Sequence, residues 1–112
     1  MSQIQTDLAI LGAGPAGYVC ALRAADLGKK VTIIEAGPFG GTCLNVGCIP
    51  SKALISAGHF VESVHNAAAM GFTVAEPELD LEKLIAWKDG IVGRLRGGIG
   101  ALLKSRGVDV VH

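Results

Sequence analysis

Apolar and polar positions along the chain switch between two periods, and the switches lay out the elements. Asp7 to Leu11 is a short apolar run ending at Gly12, the pattern of a strand buried on both faces in a parallel sheet. Pro15 to Leu27 is rich in alanine and other good helix formers, and Gly28 stands where a left-handed C-terminal cap is expected. Val31 to Ile34 follows as a β-branched strand closing on Glu35. Strand, helix and strand make one βαβ unit, whose crossover should be right-handed.

Farther along, Ser51 to about Met70 reads as a helix with Leu54, Ile55, Phe60, Val61 and Val64 as its apolar positions, ended by Gly71. Phe72 to Val74 is a short extended link, and Pro77 to Asp80 supplies a turn with Asp80 as an N-cap. From Leu81 to Leu103 apolar residues keep mostly to three- and four-residue spacing, which predicts a second long helix. Gly93, Gly97, Gly98 and Gly100 weaken it by roughly 1 kcal/mol each against alanine, so they mark a close contact or a bend. Gly107 ends this helix, and Val108 to Val111 starts a third strand.

Composition narrows the class of protein. With 112 residues and 50% hydrophobic content, the chain can bury the core of one small domain. Ten basic and ten acidic residues cancel, so neither a nucleic acid nor a membrane surface is an expected partner. Met1 to Asp7 lacks the basic start and long apolar stretch of a leader, and no later run reaches membrane-spanning length. The expected location is therefore the cytoplasm, where a disulfide serves catalysis more often than structure. Of the three cysteines, Cys20 sits in an apolar helix and reads as a small buried thiol. His59, His65 and His112 read as surface or core residues, and Trp87 as helix packing or interface.

Two motifs carry the chemistry. Gly12-Ala13-Gly14-Pro15-Ala16-Gly17 fits G-x-G-x-x-G between a strand and a helix. There Gly12 allows the tight turn, Gly14 lets the backbone approach a pyrophosphate, and Gly17 lets the helix pack on the strand, with the helix N-terminus favouring the phosphates' charge. Glu35 stands at the end of the second strand, where a carboxylate accepts hydrogen bonds from ribose hydroxyls and repels a 2′-phosphate. Together these features favour the adenosine diphosphate part of FAD or NAD.

The second motif runs from Gly40 to Lys52, GGTCLNVGCIPSK. In an unbroken helix, residues five apart have Cα atoms roughly 8 to 9 Å apart, beyond the roughly 7 Å a disulfide tolerates. A bond between Cys43 and Cys48 therefore requires a break, which Gly47 allows, with Pro50 in the first turn of the resumed helix. The pair reads as a redox-active disulfide held against a flavin, because a dithiol needs a carrier that exchanges electrons with a thiolate on one side and a hydride on the other. Two idle thiols or half of a metal site are the other readings. No further cysteine or histidine stands at zinc-site spacing nearby, so no metal is expected. Lys52, one helical turn after Cys48, is placed to stabilise negative charge on the flavin or the thiolate. The expected fold is α/β, a Rossmann-like FAD-binding domain with a parallel sheet and flanking helices. Because such a unit normally continues into further strands, residues 1–112 read as its incomplete N-terminal portion with the redox disulfide helix.

In these motifs the chain resembles the N-terminal part of the pyridine nucleotide-disulfide oxidoreductase family. Leu44, Ser51 and the PELDLEKLIAWKDGIVGRL segment lean toward its lipoamide-oxidising members, with reductases of other disulfides or of mercuric ion, or a non-catalytic nucleotide-binding module, as alternatives. The resemblance implies a homodimer carrying FAD, with NAD as final electron acceptor and dihydrolipoamide on the lipoyl domain of a 2-oxoacid dehydrogenase complex as substrate. It implies that Cys43 is the thiol exchanging with substrate, Cys48 the thiol against the flavin, and Lys52 the neighbour of the flavin's reactive nitrogen. Gly12, Gly14, Pro15, Ala16, Gly17, Glu35, Gly41 and Thr42 map to FAD contacts. The family's NAD-binding domain, dimerisation domain and catalytic His-Glu pair lie outside this sequence. The chain alone is therefore not expected to complete turnover.

Overall fold

The computed structural model describes residues 3–112; Met1 and Ser2, part of the segment read for a leader, lie outside the described residues. Strand β1 (Leu8–Leu11), helix α1 (Pro15–Asp26) and strand β2 (Val31–Ile34) form the anticipated βαβ unit. After it come α2 (Gly41–Asn45), α3 (Cys48–Asn66), a 3₁₀ turn at Ala67–Met70, α4 (Leu81–Ser105) and strand β3 (Asp109–Val111). The sheet has the order β1-β2-β3 with every pair parallel. Strand three beside strand two, and two beside one, is one half of a doubly wound dinucleotide-binding sheet. The fold is thus α/β and Rossmann-like.

Helix ends follow local chemistry. Pro15 opens α1 with no side-chain cap from Gly14, and Gly28 takes φ +79° just past its end. Asp80 caps α4 by accepting a hydrogen bond from the Lys83 backbone N–H at 3.1 Å. The helix expected over Ser51–Met70 begins three residues earlier, at Cys48, and tightens into the 3₁₀ turn before Gly71. Phe72 to Val74 lies outside any strand. Among the α4 glycines, only Gly100 meets a close neighbour: a Cβ there would stand 3.3 Å from the Phe39 ring, and the helix runs through the others unbroken.

In-phase residues of the three strands point to one side. Leu8, Ile10, Val31, Ile33 and Val110 pack with Tyr18, Ala21 and Leu22 of α1 and Ile99 and Leu103 of α4. Ile33 and Leu103 are fully buried at the centre. The opposite face differs from the sequence expectation of a strand buried on both sides. β1 alternates half-buried and exposed, Leu11 is 83% exposed, and Ala9, Thr32, Ile34 and Val111 line an open depression of about 260 Å³. Both helices that cover the sheet lie on the other face, so in the edge strand β1 a period-two burial pattern replaces the uniform one, while the central β2 stays buried from Val31 to Ile33. Cys20 departs as well: it is exposed, because α1 turns Ala21 inward and places the adjacent residue roughly 100° round the helix.

Helices α3 and α4 pack against each other and carry the chain away from the sheet, giving extents of 66 × 27 × 19 Å. The radius of gyration is 19.9 Å, against roughly 13 Å for a compact chain of this length. Phe60 and Trp87 are exposed on this arm and line a cavity of about 570 Å³. His59 is exposed, His65 meets Glu76 at 3.0 Å, and Nδ1 of His112 lies 3.1 Å from the Glu35 carbonyl. No helix among the described residues is long and apolar enough to cross a membrane.

Candidate functional site: a disulfide beside a glycine loop

Both parallel strands end at the same edge, and the chain leaves them through Gly12 and Glu35. Crevices outside the carboxyl ends of parallel strands are where such sheets take their ligands. Gly12 turns with φ +94°, its N–H donating to the Ile34 carbonyl at 2.7 Å. Gly17 packs on this turn so closely that a Cβ would run into the Gly12 carbonyl oxygen and lie 3.0 Å from its carbon. Pro15 and Ala16 stay exposed in the first turn of α1. Since no side chain caps that end, its first N–H groups remain available to a ligand's phosphates.

Glu35 is drawn into the loop it was expected to accompany. Oε2 accepts from the Ala13 N–H at 2.7 Å and Oε1 from the Gly37 N–H at 2.8 Å. The Ala13 bond, then that of Gly37, holds its carboxyl below the ordinary glutamate value. The folded state therefore favours the carboxylate. Its contribution to stability is complete above the unfolded value of about pH 4 and is lost as pH falls through that value toward the lower folded one. Glu35→Gln is expected to unfold earlier in denaturant than the parent at pH 6 to 7, with the gap closing as pH approaches 3. A gap that stays constant with pH would contradict this role.

The cysteine segment hangs on the same loop. The Gly40 N–H donates to the Ala13 carbonyl at 2.8 Å, and a Cβ on Gly41 would come within 2.8 Å of the Gly14 Cα. Thr42 is exposed next to that contact. Cys43 and Cys48 are joined by a disulfide, with Cα atoms 4.6 Å apart. That separation is about half the value for a continuous helix, and the chain reaches it by breaking at Val46 and Gly47. Gly47 makes the break with φ −119° and ψ −109°, and close approach also demands glycine there: a Cβ would lie 2.9 Å from the Thr42 carbonyl oxygen and 3.2 Å from the Cys43 Cα.

Beyond the break, α3 starts at Cys48 with Pro50 in its first turn, and the Ser51 hydroxyl donates to the Gly47 carbonyl. Cys43 is half-buried, while Cys48 and Lys52, one turn apart on α3, are exposed. The structure thus gathers the glycine loop, Glu35, Gly41, Thr42 and the disulfide around one sheet edge. The donor set fits a dinucleotide: free helix N–H groups for phosphates, a carboxylate at the second strand, and a sulfur pair alongside. No metal-binding group occurs among the described residues.

Two residues of the site escaped the sequence reading. Asn45 closes α2 by donating through Nδ2 to the Phe39 and Gly41 carbonyls, each at 2.9 Å. Arg96 of α4 donates to Asn45 Oδ1. Asn45 lies inside the cysteine motif and was open to notice there; Arg96, among the apolar repeats of a helix, carries no local signal.

A strand-order half of this kind, with a glycine loop and an adjacent disulfide, defines a dinucleotide-dependent disulfide oxidoreductase. The family model described as "Pyridine nucleotide-disulphide oxidoreductase" matches residues 6–112, and the chain belongs to that family. Among curated proteins it is similar to the dihydrolipoyl dehydrogenase of Bacillus subtilis, 53% identical over 108 residues that make up 96% of this chain and 23% of that protein. The dihydrolipoyl dehydrogenase of Pseudomonas aeruginosa is 52% identical over 116 residues, covering 100% of this chain and 25% of that protein. That of Halobacterium salinarum is 48% identical across 96% of the chain and 22% of its own length. The chain therefore spans about a quarter of the length of the relatives it matches.

Proposed function

We propose that this chain is the N-terminal part of the FAD-binding domain of a dihydrolipoyl dehydrogenase. The observation carrying the reading is the Cys43–Cys48 disulfide that begins two residues beyond Gly41, where the chain rests on Gly14 of the Gly12–Gly17 loop. Names of the relatives add the substrate class. In the whole protein a thiolate of dihydrolipoamide on the lipoyl domain of a 2-oxoacid dehydrogenase complex attacks Cys43, and Cys48 leaves as the second thiolate. The second substrate thiolate then displaces Cys43, releasing oxidised lipoamide and a reduced cysteine pair.

When bound, FAD would supply the two-electron carrier between this dithiol and NAD. Gly12, Gly14, Pro15, Ala16 and Gly17 would hold its pyrophosphate and Glu35 its ribose, with Gly41 and Thr42 in the turn that leads to the disulfide. Cys48, the more exposed of the two cysteines, would face the flavin, and the Lys52 ammonium would stabilise negative charge there. NAD binding and homodimerisation belong to the remaining three quarters of such a protein, and its place is the cytoplasm. The test is an anaerobic titration of the full-length protein with dihydrolipoamide. With excess dihydrolipoamide the expected result is uptake of two electron pairs per subunit, one as two new cysteine thiols and one as bleached flavin absorbance, with recovery of the spectrum on adding NAD. A flavin that only NADPH with glutathione disulfide or mercuric ion cycles would move the chain to another branch of the family. A colourless protein that refuses FAD would leave a nucleotide-binding module.

A further inference from the structure

Arg96 sits on α4, far in sequence from the cysteines, yet its Nε and Nη2 both donate to Oδ1 of Asn45, at 2.9 and 2.6 Å. Asn45 spends its two amide donors on the Phe39 and Gly41 carbonyls, so every polar position of the amide is occupied. The loop closed by these bonds runs from Phe39 to Asn45 and contains Cys43. A planar guanidinium that meets one oxygen with two N–H groups sets orientation more tightly than a single donor does.

We infer that Arg96 is a positioning residue for the redox pair, which it tunes by holding Asn45 in place. Four residues separate the cysteines. Leu44 is buried, Val46 is 77% exposed and Gly47 has no side chain, so Asn45 provides the polar tether of the segment. The disulfide needs this segment folded back until the two Cα atoms are 4.6 Å apart; the dithiol has no such requirement. Loss of the brace therefore weakens the disulfide relative to the dithiol. The inference rests on the exchange chemistry proposed above and adds a determinant of its potential.

The measurement is the equilibrium of full-length protein with glutathione and glutathione disulfide. Two glutathione thiols give two electrons and two protons to the Cys43–Cys48 bond and leave as one glutathione disulfide; alkylation and mass mapping of the Cys43–Cys48 peptide report the ratio. Arg96→Ala is expected to shift the constant about tenfold toward the dithiol, a rise of about 30 mV for a two-electron couple. Arg96→Lys should shift it by about threefold, and it carries the test should the alanine variant not retain flavin. Asn45→Ala and the double variant should share one midpoint, since Arg96 then has nothing to hold. An Arg96 variant that melts earlier but keeps the parental midpoint overturns the inference and leaves the function standing. A parental protein whose pair does not exchange at all overturns both.

Discussion

Cys43→Ser in the full-length protein is expected to keep its flavin and lose dihydrolipoamide oxidation by at least about three orders of magnitude, on the scale at which removing a covalent nucleophile stops an enzyme. The pyrophosphate and ribose contacts proposed for FAD come from the glycine loop and Glu35, none of which needs the sulfur. The disulfide, by contrast, has no substitute: Cys20 is exposed on α1 rather than beside Cys48, so a lone Cys48 finds no second partner in this chain. Steady-state turnover and the flavin spectrum check the two halves separately. Activity within tenfold of the parent would show that electrons reach the acceptor without this bond.

Gly17→Ala is expected to damage the fold and the nucleotide site together, at a cost of about 3 kcal/mol, the upper range for overpacking. The added methyl has nowhere to go, because the Gly12 carbonyl already occupies the position and belongs to backbone. Relief requires α1 to move off the Gly12 turn, and that movement pulls Gly14 from its contact with Gly41. Gly28→Ala makes the control. Gly28 has φ +79° with open space around its missing Cβ, so alanine there meets only the left-handed penalty of about 1 to 2 kcal/mol. Denaturant melts and flavin retention compare the pair: Gly17→Ala should lose both, Gly28→Ala should lose stability alone. Equal flavin retention in the two variants would mean that the tight packing on Gly12 is not what shapes the loop.

Much of this molecule was readable because its decisive features are local. A β-branched run between Gly28 and Glu35, a proline at the start of α1 and an aspartate ahead of α4 each state their conformation within a few residues. The requirement for a break between Cys43 and Cys48 followed from helix geometry alone, and it falls at Val46 and Gly47. A further reason for glycine at Gly47, the crowding of the Thr42 carbonyl, exists only once the chain has doubled back.

What the amino-acid sequence determined by itself, then, is the order of elements, the turn at each glycine boundary, and the chemistry of the two motifs, because these depend on neighbours within a turn or a strand. Tertiary structure alone decided which sheet face is covered, that Cys20 faces outward, that Gly41 rests on Gly14, and that Arg96 reaches Asn45. Those are contacts between distant segments. They depend on where α1 and α4 settle on one side of the sheet, a balance of buried area summed over the whole chain rather than a preference written at any one position.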